Sequence, residues 1–321
     1  MRGDNPRLGQ DPVIVFMGTP DYAVPSLKGL VEEGYRVRAV VTQPDRPKGR
    51  KRTPAPPPVK TAAQALGLEV LQPEKASDAA FVTRVREMTP DVIVVVAFGQ
   101  MLTRGVLDIP RWGALNIHAS LLPHYRGAAP IQWAIINDEK RTGLTAMRMD
   151  EGMDTGPVLL QEVCPIGAEE TAGELHDRLS VLSRGFLLKT LDALKAGSVT
   201  ETVQAHGRAT YAGKIDKHMA VINWEHPAGK VSALIRGLDP WPGAITGIRG
   251  KRIKLFSPHI MDSTRTGLEP GRMRGRSEHG LMVETGKGVI AIRELQAPGK
   301  RRLSFDDFLR GFPVAEGTVL G

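Results

Sequence analysis

The chain has 321 residues, 41% hydrophobic and 24% charged, with a net charge of +8 and one cysteine, Cys164. That length allows two domains with substantial cores, and the composition is that of a globular chain rather than a disordered or fibrous one. No apolar run approaches the ~20 residues of a membrane span, and a lone cysteine excludes an internal disulfide, so no membrane is expected and a reducing cytoplasm is.

The opening MRGDNPRLGQD lacks the apolar stretch of a signal peptide and its acids argue against a transit peptide, so residues 1–10 read as a disordered tail. Val13–Met17 reads as a buried strand, Gly18 as a tight-turn residue, the stretch to Gly34 as a helix, and Arg36–Thr42 as a second strand. This β-turn-α-β opening predicts an α/β, Rossmann-like sheet. The turn has no G-x-G-x-x-G and the chain no P-loop, so a mononucleotide phosphate cradle is not indicated. Asp45–Arg52 packs five cations, Arg46, Lys48, Arg50, Lys51 and Arg52, into eight residues. Pro47 and Gly49 bar a helix there and predict a loop, with Pro54–Pro58 stiffening its exit. By composition alone such a run is usually a solvated face.

Val92–Phe98 and Ala114–His118 read as consecutive buried strands, with Val94–Ala97 in the sheet core. Pro130–Asn137 and Thr171–Lys195 read as helices, the second with Leu175, Leu179, Leu182 and Phe186 on one stripe. Cys164 fits a small buried hydrophobe in a strand. After Gly197 the pattern changes to short β-like pieces, Ile253–Phe256, Leu281–Glu284 and Gly288–Leu295, consistent with a small barrel. Gly267–Gly280 should be an exposed mobile loop, and 196–213 a linker. Residues 206–321 hold 19 Lys+Arg against 11 Asp+Glu, or +8; the rest hold 24 against 24, or zero. A basic module beside a neutral one suits a polyanionic substrate.

The densest chemistry lies between residues 116 and 156: Asn116-Ile-His118-Ala-Ser120-Leu-Leu-Pro123, then Arg126-Gly-Ala-Ala-Pro130, then Met149-Asp-Glu-Gly-Met-Asp154-Thr-Gly156. Asn116 and His118 stand two apart, so on a strand they share a face, near a C-terminal strand end where open α/β sheets bind ligands. Alone, His118 would be a structural histidine, Asn116 a strand-end residue and Asp154 a turn cap. Together they supply what acyl transfer to an amine needs: donors for a developing oxyanion and an acceptor for the amine's proton. His124 could pair with His118 on a metal, but no third ligand stands at recognisable spacing.

This stretch resembles the active-site signature of the folate-dependent formyltransferases. Val13–Ala23, Val41–Arg52, Val94–Leu102 and Asp239–Gly243 look like the methionyl-tRNA formyltransferase family in the expected order, so the resemblance covers roughly residues 11–321. It implies a Rossmann-like formyltransferase domain at 11–195, then the 196–213 linker and an oligonucleotide-binding-type β-barrel at 214–321. It implies formyl transfer from 10-formyltetrahydrofolate, without a metal, to the α-amino group of initiator methionyl-tRNA. Asn116 and a protonated His118 would donate to the formyl oxygen, while Asp154 holds His118 charged and helps remove the amine's proton. The reduced folate is expected against Ser120, Leu121, Leu122 and Pro123, and against Phe98, Gly99, Gln100, Met101 and Leu102, with Asp150 nearby. The Gln43–Arg52 loop would wedge into the tRNA acceptor end, and Lys251, Arg252 and Lys254 would grip backbone phosphate. A monomer is expected, since one chain can clasp one tRNA unaided. The rivals are a sister enzyme formylating a small amine such as a sugar nucleotide, which would need neither the basic loop nor the basic domain, and a non-catalytic RNA-binding protein, which has no use for the base.

Overall fold

The computed structural model describes residues 8–48, 53–264 and 267–321. Two compact units emerge: one made of residues up to Ala128 with Gly143–Cys164 and His176–Ala212, the other of Ala129–Thr142, Pro165–Leu175 and Gly213–Gly321.

The first unit is built on β1 (Val13–Gly18), α1 (Val24–Glu32), β2 (Arg36–Val41), β3 (Arg46–Lys48), β4 (Thr53–Ala55), α2 (Pro58–Ala65), β5 (Val70–Leu71), α3 (Ala79–Glu87), β6 (Val92–Val96), α4 (Arg104–Leu107), β7 (Gly113–His118) and β8 (Arg126–Gly127). The chain continues through α5 (Pro130–Ile136), β9 (Arg141–Arg148), β10 (Val158–Pro165), α6 (Ala172–Ala196) and β11 (Tyr211–Ala212). A seven-stranded sheet runs β10-β9-β7-β6-β1-β2-β5. Its β5-β2-β1-β6-β7 part is parallel, and β9 joins β7 antiparallel. Parallel strands covered on both faces need apolar residues at successive positions, and β1 and β6 supply them: Ile14, Val15, Phe16 and Met17 are all buried, as is every residue of Val92–Val96.

Four sequence expectations change here. β6 stops at Val96, because Ala97 (φ +49) and Gly99 (φ +87) turn the chain out of the sheet, so Ala97 is exposed rather than core. On α6, Leu182 is 38% exposed and Ser183 takes its place, bonding Ser26 across 2.9 Å. At 3.6 residues per turn the step from Leu179 falls between 182 and 183, and packing chose the second. Arg46–Lys48, at the start of the basic segment, is strand rather than loop: β3 and β4 pair antiparallel from Arg46↔Ala55 to Lys48↔Thr53. Proline fixes an extended φ at 47 and 54, which suits a short two-stranded ribbon as well as it bars a helix. Gly49, Arg50, Lys51 and Arg52 lie outside the described residues, as does most of the expected 1–10 tail; Leu8 is buried.

The fourth change is in the second unit, which contains α7 (Ala228–Gly237), β12 (Ala244–Ile248), β13 (Lys251–Asp262), β14 (Met273–Ser277), β15 (Gly280–Glu284), β16 (Val289–Gln296), β17 (Leu303–Ser304) and α8 (Phe305–Gly311). Within the expected mobile loop 267–280, Met273–Ser277 is a strand. β14 pairs with β15 through a two-residue turn at Glu278-His279, and Met273 is buried in the core. Alternation of Met273, Gly275 and Ser277 was the signal, masked by the arginines and glycines around it. The sheet order is β12-β13-β16-β15-β14, with β17 on β16. The C-terminal segment bridges its edges: Met273 N–H donates to Thr318 O at 2.9 Å, Leu320 N–H to Gly271 O at 2.8 Å, and Gly321 N–H to Gly247 O at 3.2 Å. Covering both edges in this way closes the sheet against further strand addition.

Candidate active site

Asn116 and His118 lie on β7, between β6 and β9. Asn116 sits opposite Val95 on one side and Met147 on the other, and His118 opposite Thr145. Both side chains are 8% exposed on one strand face, at the end of the strand. Among the described residues no hydrogen bond engages the Asn116 side-chain amide. The His118 ring is held at one edge only: Nε2 lies 3.0 Å from Tyr125 O. A carbonyl can only accept, so Nε2 carries a proton and Nδ1 is the edge left for chemistry. Nδ1 faces Asp154 Oδ2 at 3.7 Å. That is beyond direct hydrogen bonding and within reach of a bridging atom.

Asp154 is placed by its backbone. It adopts φ +53, a left-handed conformation that Asp tolerates better than most residues at a cost of about 1–2 kcal/mol. Its Oδ2 accepts the Gly127 N–H at 2.8 Å. Gly127 itself has φ +114, and a Cβ there would lie 2.8 Å from Ala212 O. This close approach exists because β8 pairs with β11, Arg126 N–H donating to Thr210 O and Ala128 N–H to Ala212 O, each at 2.9 Å.

The loop between them is pinned from β9 and β10. Ser120 is fully buried with its hydroxyl donating to His124 O at 2.6 Å. Thr145 Oγ1 donates to Ser120 O at 2.6 Å and accepts the Leu122 N–H at 3.1 Å. Gln161 Nε2 reaches Leu122 O and Thr145 Oγ1, each at 2.9 Å. Leu122 is buried, Leu121 and Pro123 are half-buried, and the Leu122–Pro123 bond is cis.

In the 98–102 segment the Phe98 and Leu102 side chains pack into the core with Val15, Met17 and Val95. Gly99 and Met101 are both exposed. Gln100 is spent on structure: Oε1 accepts the Ala76 N–H at 2.7 Å and Nε2 donates to Pro73 O and Glu74 O. The basic ribbon springs from the same edge of the sheet, since Gln43 Nε2 contacts Phe98 O at 3.4 Å. Arg46 is exposed and pairs with Glu74 at 3.1 Å. Asp150 is exposed, with Oδ1 accepting from Thr155 Oγ1 at 2.6 Å and Gly152 N–H at 3.1 Å. A cavity of about 590 Å³ opens near the start of β7, lined by Arg104, Arg148, Met149 and Asp150 among others. Of the candidate residues Asp150 alone lines it, so the cavity by itself does not mark the Asn116–His118–Asp154 cluster. In the second unit, Lys251 and Arg252 are exposed on β13 and Lys254 is half-buried; Lys251 Nζ lies 5.3 Å from the centre of the Phe312 ring.

Sequence reasoning missed Thr145, Gln161, Arg126 and Gln204. Arg126 was visible inside its Gly/Ala/Pro motif without a role, and nothing in the sequence singles out Gln204. Among the described residues no group of three His, Cys, Asp or Glu could hold a metal ion, and no helix is long and apolar enough to cross a membrane.

The chain matches a known family along most of its length. The formyl transferase family matches residues 12–191, and the formyl transferase C-terminal domain matches 214–313. The chain belongs to the formyl transferase family. Methionyl-tRNA formyltransferase of Pelotomaculum thermopropionicum is 49% identical over 96% of the chain and 98% of its own length. That of Geobacter metallireducens is 47% identical over 96% and 98%. Among solved structures, HypX from Aquifex aeolicus in complex with tetrahydrofolic acid superposes with a TM-score of 0.63 at 16% identity, covering 97% of this chain and 50% of that one. The N-formyltransferase of Helicobacter canadensis, with folinic acid and dTDP-3-aminofucose, gives a TM-score of 0.63 at 17% identity over 88% and 99%. These two likenesses speak to fold.

Proposed function

We propose that the chain transfers the formyl group of 10-formyltetrahydrofolate to the α-amino group of initiator methionyl-tRNA. The observation that carries this is one strand end presenting an unengaged amide, Asn116, beside an imidazole whose free nitrogen faces a carboxylate, His118 and Asp154. The near full-length identity to methionyl-tRNA formyltransferases supports that acceptor over a small amine.

The amine nitrogen attacks the formyl carbon, a tetrahedral intermediate forms, and the bond from that carbon to the folate nitrogen breaks. Negative charge builds on the formyl oxygen, which Asn116 Nδ2 and a protonated His118 Nδ1 can receive. Each such donor is worth about 2.7–4 kcal/mol of barrier. The attacking nitrogen must shed a proton and the leaving nitrogen must gain one. Asp154, 3.7 Å from Nδ1, is placed to accept the first directly or through water. A free α-amine titrates near ~7.7–8.0, so positioning matters more than a strong base.

The folate pterin is assigned to the slot formed by the Ser120–Pro123 loop and the outward backbone of Phe98–Leu102, with Asp150 at its rim. Since Ser120, Phe98, Gln100 and Leu102 have their side chains committed elsewhere, backbone groups would read the pterin there. Arg46, Lys48, Arg50, Lys51 and Arg52 are assigned to the tRNA acceptor end, and Lys251, Arg252 and Lys254 to backbone phosphate. The working unit is taken to be a monomer in the cytoplasm. The test is formylation of charged initiator against elongator tRNA by Asn116→Ala, His118→Ala and Asp154→Ala. Each should lose most of kcat while binding tRNA normally, and near wild-type turnover by any of them would remove that residue from the mechanism.

A further inference from the structure

The segment between α6 and the second unit is not a passive connector. Gln204 is 4% exposed, and Arg126 is 2% exposed although it carries a full charge. Gln204 Oε1 accepts from both Arg126 Nε, at 3.1 Å, and Arg126 Nη2, at 2.6 Å. Its Nε2 donates to Asp154 O at 2.9 Å and to Gly156 O at 2.7 Å. Every hydrogen-bonding site of that amide is in use, and the guanidinium fixes which way it points: the flipped amide would set donor against donor. Arg126 Nη2 also meets His206 Nδ1 at 3.2 Å, and among the described residues no carboxylate pairs with it.

We propose that Arg126 and Gln204 are positioning residues for Asp154, a buried bracket that holds the 154–156 turn so that its carboxylate faces His118. This rests on the reading of Asp154 as a catalytic group. The physical logic is a three-part chain. Arg126 orients the Gln204 amide; the amide clamps the carbonyls on either side of Thr155; and Asp154 is thereby kept in a left-handed conformation it would not hold by itself. The side chain of the same residue is fixed by the Gly127 N–H on Oδ2, so Asp154 is held at backbone and carboxylate together. A buried arginine with neutral partners is an expensive way to fill space, and it makes sense where one amide orientation matters.

Gln204→Glu separates positioning from filling. It keeps the volume and strengthens pairing to Arg126, but turns an acceptor toward the Asp154 and Gly156 carbonyls where a donor stood. We expect kcat to fall about 10- to 100-fold, the scale of a misplacement near 1 Å. KM for both substrates should stay within about threefold, and the thermal transition should remain cooperative. Gln204→Ala and Arg126→Gln should lower kcat similarly. In an Asp154→Asn background, Gln204→Glu should cost less than about threefold more, because it acts through a carboxylate already removed. The proposal is overturned if Gln204→Glu and Gln204→Ala both keep kcat within twofold of wild type while Asp154→Asn is inactive. It is also overturned if the Gln204 and Asp154 losses multiply in full. Wild-type turnover by Asp154→Asn would instead remove the catalytic reading of Asp154, and the bracket with it.

Discussion

Gly127→Ala tests whether the backbone around the site is as exacting as its geometry implies. At φ +114 an alanine is strained by about 1–3 kcal/mol whatever the space around it. The new Cβ would also stand 2.8 Å from Ala212 O, so β8 and β11 must part by several tenths of an ångström. That loosens two 2.9 Å backbone bonds, each worth about 0.5–1.5 kcal/mol net. Together the cost is roughly 2–6 kcal/mol, or a fall of about 4–24 °C in the transition of the unit that contains it. Turnover should suffer further, because the Gly127 N–H that holds Asp154 Oδ2 moves with the strand. The assay is thermal unfolding beside single-turnover formylation at a temperature where the variant is folded. A variant with unchanged melting and wild-type kcat would show that neither the close approach nor the Gly127–Asp154 bond constrains the site.

Arg46→Ala should leave melting unchanged, since its pair with Glu74 is exposed and such pairs contribute about 0–1 kcal/mol. It should lower kcat/KM for initiator tRNA; removing a bidentate arginine bond worth about 1–3 kcal/mol would be visible as weakened discrimination against elongator tRNA, and unchanged discrimination would make the ribbon a solvated charge run. Reversing Lys251, Arg252 and Lys254 should raise the tRNA KM with kcat little altered and flatten its salt dependence by nearly one log unit per log salt for each phosphate no longer neutralised; a KM indifferent to salt in the parent would refute a phosphate grip. Burial pushes the Tyr22 phenol well above its ordinary value, and its hydroxyl has no partner among the described residues. A raised folded value means stability is complete below about pH 10, where the unfolded phenol titrates, and is lost as pH rises further at up to about 1.36 kcal/mol per unit. Tyr22→Phe should therefore flatten the alkaline unfolding limb without lowering melting at neutral pH, and an unaltered limb would count against that burial.

The amino-acid sequence determined the class of fold, the family and the chemistry. Those rest on patterns that are local in the chain: valine runs for strands covered on both faces, a two-residue spacing that puts Asn116 and His118 on one face, and the linear motifs around them. The Asp154 carboxylate was legible as a candidate because it sits in its own short motif. What the sequence did not determine were contacts between residues far apart along it. Gln204 lies 50 positions from the carbonyl it clamps and 78 from the arginine that orients it, with no periodicity to mark either partner. Thr145 and Gln161 reach the Ser120–Pro123 loop only because β9 and β10 extend the sheet beyond β7. Hydrogen-bond direction was equally invisible: that His118 spends Nε2 on Tyr125 O, leaving Nδ1 for Asp154, depends on a left-handed turn at Tyr125. The choice of Ser183 over Leu182 on α6, and of strand over loop at Met273–Ser277, turned on side chains arriving from other elements. Local spacing says which groups can share a face. Only the packed chain decides which of them meet, at which atom, and what holds them there.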